Sequence, residues 1–154
     1  MAALALLAAA GPAQASTAHG SWSYDGYSCS ADETTAFVAA PGERNVVTVG
    51  EANILVVSPF WLGPCAEFRY QASSLVDPGA TIRPSGTCRF AVSSTNRAVS
   101  CPMEDGLTVS LGDGDDSFTL VDDGLSATVS CGPGNDTVIG NVNAASDCET
   151  VLPG

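Results

Sequence analysis

The sequence has 154 residues, 45% of them hydrophobic, and a formal net charge of −12. This length suits one domain with its own apolar core, and the charge argues against nucleic acid or an anionic membrane surface as a partner. Residues 98–154 hold ten acidic residues and no basic one. A compact fold there needs widely spaced carboxylates or bound counter-cations.

The beginning of the chain is predicted to be a secretory signal peptide, residues 1–15. Met1 to Ala10 is almost entirely apolar, and Ala13-Gln14-Ala15 supplies a small-x-small cleavage site. A buried Ala-rich helix is the alternative, because the usual basic segment is missing. The apolar run is too short to span a bilayer. We therefore expect a secreted, extracellular protein with no membrane span.

Six cysteines occur without any Cys-x-x-Cys spacing, so the commonest zinc and thioredoxin-like motifs are excluded. Disulfides are the default in an exported chain. Sequential pairing closes the shortest loops and predicts the disulfides Cys29–Cys65, Cys88–Cys101 and Cys131–Cys148.

Short runs rich in Val, Ile, Phe and Thr alternate with clusters of Gly, Pro, Asn, Asp and Ser, and no sustained helical period is found after residue 16. The sequence therefore predicts an all-β fold. We expect an irregular, disulfide-stabilised β region over residues 16–106, continuous with a repetitive region over 107–154. The aromatic residues Trp22, Tyr24, Tyr27, Phe60 and Trp61 are interpreted as core or as a cap, with an aromatic ligand site as the alternative.

Residues 107–126 and 127–146 form a twenty-residue repeat with seven identities, and DCETVLPG begins a third copy. A repeat of this length is typical of one coil of a solenoid. The alternation then predicts which side chains point inward. They are Val109, Leu111, Phe118 and Leu120 in one coil and Val129, Cys131, Val138 and Gly140 in the next.

Each repeat contains a loop of the form x-G-x-G-x-D-x-U-x, where U is a large apolar residue: LGDGDDSFT and CGPGNDTVI. Glycines allow tight turns and expose carbonyl oxygens, the aspartate adds a carboxylate, and U anchors the loop in the core. Oxygen donors of this kind suit Ca²⁺, whereas Mg²⁺ requires a tighter octahedron and Zn²⁺ prefers Cys or His. Plain hairpin turns are the alternative interpretation. The earlier APGERN turn, 40–45, is interpreted as related in shape but without a metal.

These loops resemble the glycine-aspartate nonapeptides of hemolysin-type (RTX) calcium-binding repeats, whose fold is a parallel β-roll. The segment VSCGPGNDTVIG followed by DCETV looks like secreted actinobacterial proteins with such repeats. The resemblance implies that Asp116 and Asp136 are carboxylate ligands of Ca²⁺. It also implies that the other ligands are backbone carbonyls of Gly112, Asp113, Gly114, Asp115, Gly132, Pro133, Gly134 and Asn135.

The repeat departs from that family in its length and in its opposite turns. The family's coil has eighteen residues rather than twenty, and the turns VDDGLS and GNVNAAS lack the motif. We therefore expect one calcium-binding face. Asp122, Asp123, Asn141 and Asn143 could form a weaker second site, with exposed turn residues as the alternative.

The main functional hypothesis is a secreted calcium-binding module, whose Gly/Asp loops stabilise the fold outside the cell. A disulfide-held adhesin or structural module without calcium dependence is the alternative. Catalysis is disfavoured because the single histidine, His19, cannot complete a Ser/His/Asp set from its position, and no H-E-x-x-H motif occurs.

Overall fold

The computed structural model describes residues 15–24, 31–57, 69–91, 97–103, 106–121, 123–144 and 147–154. Within these ranges the chain forms β-strands and no helix, which confirms the all-β prediction. The strands are β1 (Ser16–Tyr24), β2 (Ala31–Val38), β3 (Val46–Val57), β4 (Arg69–Val76), β5 (Ile82–Gly86), β6 (Arg89–Phe90), β7 (Ala98–Pro102), β8 (Gly106–Ser110), β9 (Ser117–Leu120), β10 (Ala127–Ser130), β11 (Thr137–Ile139), β12 (Val142–Ala144) and β13 (Thr150–Leu152).

The strands assemble into two mixed sheets. The first has the order β12-β10-β8-β2-β1-β5, and the second has the order β13-β11-β9-β3-β4-β7-β6. Strands β1 and β2, which are consecutive in the chain, pair antiparallel, as do β3 and β4. Both sheets are therefore mixed, and the parallel roll predicted for residues 107–154 does not describe either sheet as a whole.

Parallel pairing joins the strands of the sequence repeat. Thr108 pairs with Thr128 and Ser110 with Ser130 in the first sheet, and Ser117 pairs with Thr137 in the second. The register steps by twenty positions, as the sequence alignment of the two repeats predicts. The stacking also continues backward, because β2 pairs parallel with β8 and β3 with β9. Both sheets thus contain strands from before and after residue 106, the predicted boundary between the irregular and the repetitive regions.

One hydrophobic core cluster is shared by residues of both sheets. The side chains predicted to point inward are all buried there: Val109, Leu111, Phe118 and Leu120 are at most 4% exposed, and Val129, Cys131 and Val138 are fully buried. Gly140 is buried as well. The alternation of period two along each short strand accounts for this arrangement, and full burial of one such side chain contributes about 1.5–3 kcal/mol.

Two of the three predicted disulfides lie within the described residues and are present. Cys88–Cys101 joins Cα atoms 4.3 Å apart, and Cys131–Cys148 joins Cα atoms 5.2 Å apart. The second disulfide links the last full repeat to the incomplete third copy. Cys29 and Cys65 lie outside the described residues.

Several other predictions also fall outside the described part of the chain: residues 1–14 of the predicted signal peptide, Tyr27, Phe60, Trp61, Asp122 and the side chains of Trp22 and Tyr24. Within the described ranges, the chain has no helix of the length and hydrophobicity that crossing a membrane requires.

Candidate functional site

The two Gly/Asp loops lie directly one above the other. The amide of Gly114 donates to the carbonyl oxygen of Pro133 at 2.9 Å, and the amide of Asn135 donates to Asp115 Oδ1 at 3.0 Å. Gly112 and Gly132 have matching φ angles of 91° and 89°, in a region that side chains with a Cβ rarely adopt. The repeat therefore adopts the same turn conformation at its first glycine in both copies.

Glycine is also required where the loops touch. A Cβ on Gly132 would overlap the carbonyl oxygen of Gly112, and a Cβ on Gly134 would overlap the carbonyl oxygen of Gly114. The same position at Gly134 is 3.2 Å from Asp136 Oδ1. Of the predicted carbonyl ligands, Gly114 thus has its oxygen close to a predicted carboxylate ligand. The carbonyl oxygen of Gly112 lies against the next loop.

The residue immediately before each parallel strand of the second sheet belongs to a row of stacked polar side chains, the carboxylate ladder: Asn45, Asp116, Asp136 and Glu149. The amide of each residue donates to the side chain one layer further on. Asn45 donates to Asp116 Oδ1, Asp116 to Asp136 Oδ1 and Asp136 to Glu149 Oε2, each at 2.8 Å. Asp116 and Asp136, the two predicted carboxylate ligands, are therefore adjacent.

A carboxylate from outside the repeat lies at the end of this ladder. Asp77 follows β4 and is fully buried. Its Oδ1 accepts hydrogen bonds from the amides of Val46 at 3.2 Å, Gly79 at 2.8 Å and Ala80 at 3.2 Å. Because β4 runs antiparallel to β3, Asp77, which follows the last residue of β4, lies beside the beginning of β3.

Three of these carboxylates each have an oxygen with no hydrogen-bond partner: Asp77 Oδ2, Asp116 Oδ2 and Asp136 Oδ2. Asp77, Asp116 and Asp136 are 0%, 3% and 1% exposed. Removing a carboxylate from water without compensating its charge is costly, and such groups are usually paired, metal-bound or protonated. No basic side chain of the described residues hydrogen-bonds to Asp116 or Asp136.

Burial raises the pKa of both Asp116 and Asp136 above the ordinary value of 3.8. Hydrogen bonds from backbone amides oppose the rise, whereas neighbouring carboxylates reinforce it. Asp136 and Asp77 raise the pKa of Asp116, and Glu149, Asp115 and Asp147 raise that of Asp136. The buried pair Asp116 and Asp136 therefore lies among other negatively charged groups.

The remaining predicted ligands lie on the exposed side of the loops. Asp113 Oδ1 accepts the amide of Gly42 at 2.8 Å, and the carbonyl oxygen of Asp115 accepts Arg44 Nε at 3.2 Å. Pro133 and Asn135 are exposed. The structure thus separates the predicted set into a buried pair of carboxylates and a rim that holds the loops in register.

Sequence reasoning missed three polar residues of this region, Asp77, Asp147 and Glu149, and it interpreted the APGERN turn as related in shape without giving its Asn45 a role. Asn45 and Glu149 each precede an alternating apolar run, as Asp116 does, so position in the repeat could have revealed them. Nothing in the sequence around Asp77 connects it to the repeat. Asp147 Oδ2 accepts the amide of Gly132 at 2.9 Å and Ser130 Oγ at 3.2 Å, and the Gly132 hydrogen bond holds the pKa of Asp147 below 3.8.

Of the residues considered for a weaker second site on the opposite turns, Asp122 lies outside the described residues. Asp123, Asn141 and Asn143 are exposed turn or edge residues. His19 is exposed on β1, with Nδ1 3.0 Å from Ser85 Oγ, and lies in a different sheet from the carboxylate ladder.

No group of three or more His, Cys, Asp or Glu side chains converges as a metal site among the described residues. A cation at the ladder would therefore need backbone oxygens as well as carboxylates. Comparison with known proteins finds no matching family model, no curated relative and no solved structure of similar fold.

Proposed function

We propose that this protein is a secreted calcium-binding β module, in which a Ca²⁺ ion binds between the loops 112–116 and 132–136 and stabilises the fold outside the cell. The observation that carries the proposal is the pair of adjacent, buried carboxylates Asp116 and Asp136, each with one unpartnered oxygen. A divalent cation would neutralise both.

The donor set favours calcium. Carboxylate oxygens of Asp116 and Asp136 are available together with the carbonyl oxygen of Gly114, which lies close to Asp136. Ca²⁺ accepts six to eight oxygen ligands in irregular arrangements, including waters and carbonyls. The two loops contain no histidine, and Cys131 is bonded to Cys148, so neither an imidazole nor a thiolate is available there.

The proposed coil architecture follows from the repeat. Two parallel strands and two turns per twenty residues would place one Gly/Asp loop in each layer, about 4.8 Å from the next. Stacked loops at this spacing can share one ion.

Two disulfides among the described residues are typical of an oxidising environment. Together with the predicted signal peptide, they support secretion. Extracellular calcium modules commonly bind with dissociation constants of about 0.1–1 mM, so export would expose the site to enough calcium to fill it.

The proposal is tested by calorimetric titration of the purified, oxidised protein with CaCl₂, and by thermal melts in CaCl₂ and in chelator. Calcium at about 100 times its dissociation constant should stabilise the folded protein by about 2.7 kcal/mol. Asp136→Asn should lose the part of this effect that the ion between the two loops supplies, whereas Asp32→Asn, an exposed control on β2 in the other sheet, should keep all of it. Equal calcium binding by Asp136→Asn and the parent would overturn the assignment.

A second function is favoured by one observation. Asp116 and Asp136 already accept backbone hydrogen bonds between layers, which is a structural role that needs no metal. In a disulfide-held adhesin or scaffold of this kind, the melting temperature would be the same in CaCl₂ and in chelator.

A further inference from the structure

Asp77 lies outside the repeat, but it is at the same end of the second sheet as the carboxylate ladder. We propose that Asp77 and Asp116 form a second calcium site beside the Asn45–Val46 backbone, in addition to the site between Asp116 and Asp136. This inference deepens the proposed function, because it assigns a ligand from β4 that the Gly/Asp motif does not contain.

The two carboxylates hold consecutive amides of one short segment. Asp116 Oδ1 accepts the amide of Asn45 at 2.8 Å, and Asp77 Oδ1 accepts the amide of Val46 at 3.2 Å. They are therefore neighbours across the start of β3, and the charge of Asp77 contributes to the raised pKa of Asp116.

Each of the two carboxylates leaves a buried oxygen without a hydrogen-bond partner, Asp77 Oδ2 and Asp116 Oδ2. Asp77 itself is fully buried. Its Oδ1 is occupied by three amides, so the unpartnered oxygen is the one left for a ligand. Two neighbouring buried carboxylates need either a shared proton or a cation between them.

Backbone carbonyls lie next to both carboxylates, where glycine leaves room. A Cβ on Gly79 would be 2.7 Å from the carbonyl oxygen of Arg44 and 3.2 Å from Asp77 Oδ1. A Cβ on Gly114 would be 3.0 Å from the carbonyl oxygen of Glu43 and 3.7 Å from Asp116 Oδ1. The carbonyl oxygens of Arg44 and Glu43 are therefore candidate donors, since each lies beside the same glycine as one of the two carboxylates.

This mixture of carboxylate and carbonyl oxygens fits Ca²⁺, which tolerates irregular coordination completed by water. Asp116 would then serve both sites, with Asp77 on one side and Asp136 on the other. Its one unpartnered oxygen, Oδ2, would then contact both ions.

Calorimetric titration with CaCl₂ tests the proposal in the full oxidised chain. We expect the parent to bind two ions, and Asp77→Asn and Asp136→Asn to bind one each. Asparagine retains the Oδ1 that accepts the amides of Val46, Gly79 and Ala80, so Asp77→Asn should still fold. Asp32→Asn, an exposed control on β2 in the other sheet, should bind two ions. Asp116→Asn, which removes the shared carboxylate, should lose both ions and provides a second test if Asp77→Asn is unstable.

The outcomes separate this inference from the proposed function. If Asp77→Asn binds calcium with the stoichiometry and affinity of the parent while Asp136→Asn loses an ion, the Asp77 site is wrong and the proposed function stands. If Asp77→Asn loses an ion and Asp136→Asn does not, the site between Asp116 and Asp136 is wrong and the Asp77 site stands. A parent that binds no calcium overturns both, and a proton shared by Asp77 and Asp116 then explains the pair.

Discussion

Asp116 combines a satisfied and an unsatisfied oxygen in one buried carboxylate. Its Oδ1 accepts the amide of Asn45, whereas its Oδ2 has no partner. Burial raises its pKa, as it does for Asp136. A group with a raised pKa in the folded state holds its proton more tightly than in the unfolded state. Without metal, folding stability should therefore fall as the pH rises through the folded pKa.

We expect the chelator-treated parent to melt at a higher temperature in mildly acidic buffer than at neutral pH. Asp116→Asn should weaken this pH dependence and raise the free energy of unfolding at neutral pH by about 1 kcal/mol, because it removes a buried charge while its Oδ1 can still accept the amide of Asn45. Thermal melts across pH in chelator measure both effects, with Asp32→Asn, an exposed carboxylate on β2, as the matched control. A parent whose stability rises from mildly acidic to neutral pH would contradict this account.

Asp147 acts with the opposite sign. Because the pKa of Asp147 is lowered, its contribution to stability is present above 3.8 and is lost as the pH falls through the lower folded value. In the same series of thermal melts, the melting temperature should therefore fall again at low pH.

At the scale of the elements, the Cys131–Cys148 disulfide holds the final strand against the preceding repeat. It fixes the segment that carries Asp147 and Glu149, whose carboxylates accept the amides of Gly132 and Asp136. The disulfide therefore supports the last layer of hydrogen bonds in the ladder as well as the chain connection.

The double variant Cys131→Ser/Cys148→Ser should lose about 3 kcal/mol of stability, as expected for a closed loop of this size. Hydrogen exchange should show faster opening at the amides of Gly132 and Asp136. Cys88→Ser/Cys101→Ser is the matched control, because its disulfide lies outside the repeat of residues 107–146 and should leave those two amides protected. Unchanged protection in the first variant would show that the last layer is held by strand pairing alone.

At the scale of the whole molecule, the acidic residues are concentrated in the C-terminal part of the chain, which contains the repeat. Residues 98–154 carry ten acidic side chains and no basic one. Their mutual repulsion opposes compaction, and its range shrinks from about 30 Å to about 10 Å between 0.01 and 0.1 M salt.

In chelator, raising NaCl through that range should raise the melting temperature by a few degrees, because screening weakens the repulsion. Calcium should reduce this salt dependence, since bound ions already neutralise part of the charge. Scanning calorimetry at several NaCl concentrations, with and without CaCl₂, provides the measurement. A melting temperature insensitive to salt in chelator would mean that the carboxylates are too widely spaced to repel.

The sequence by itself determined the all-β class, the twenty-residue register of the repeat, its inward-facing side chains and two disulfides. Each of these depends on local periodicity or on short loops, which neighbouring residues specify. Only the tertiary structure decided that the sheets are mixed, that Asn45 and Glu149 extend the ladder, and that Asp77 reaches it. Asp77 is brought there by the antiparallel return of β4 along β3, a contact between distant segments that no spacing in the sequence records.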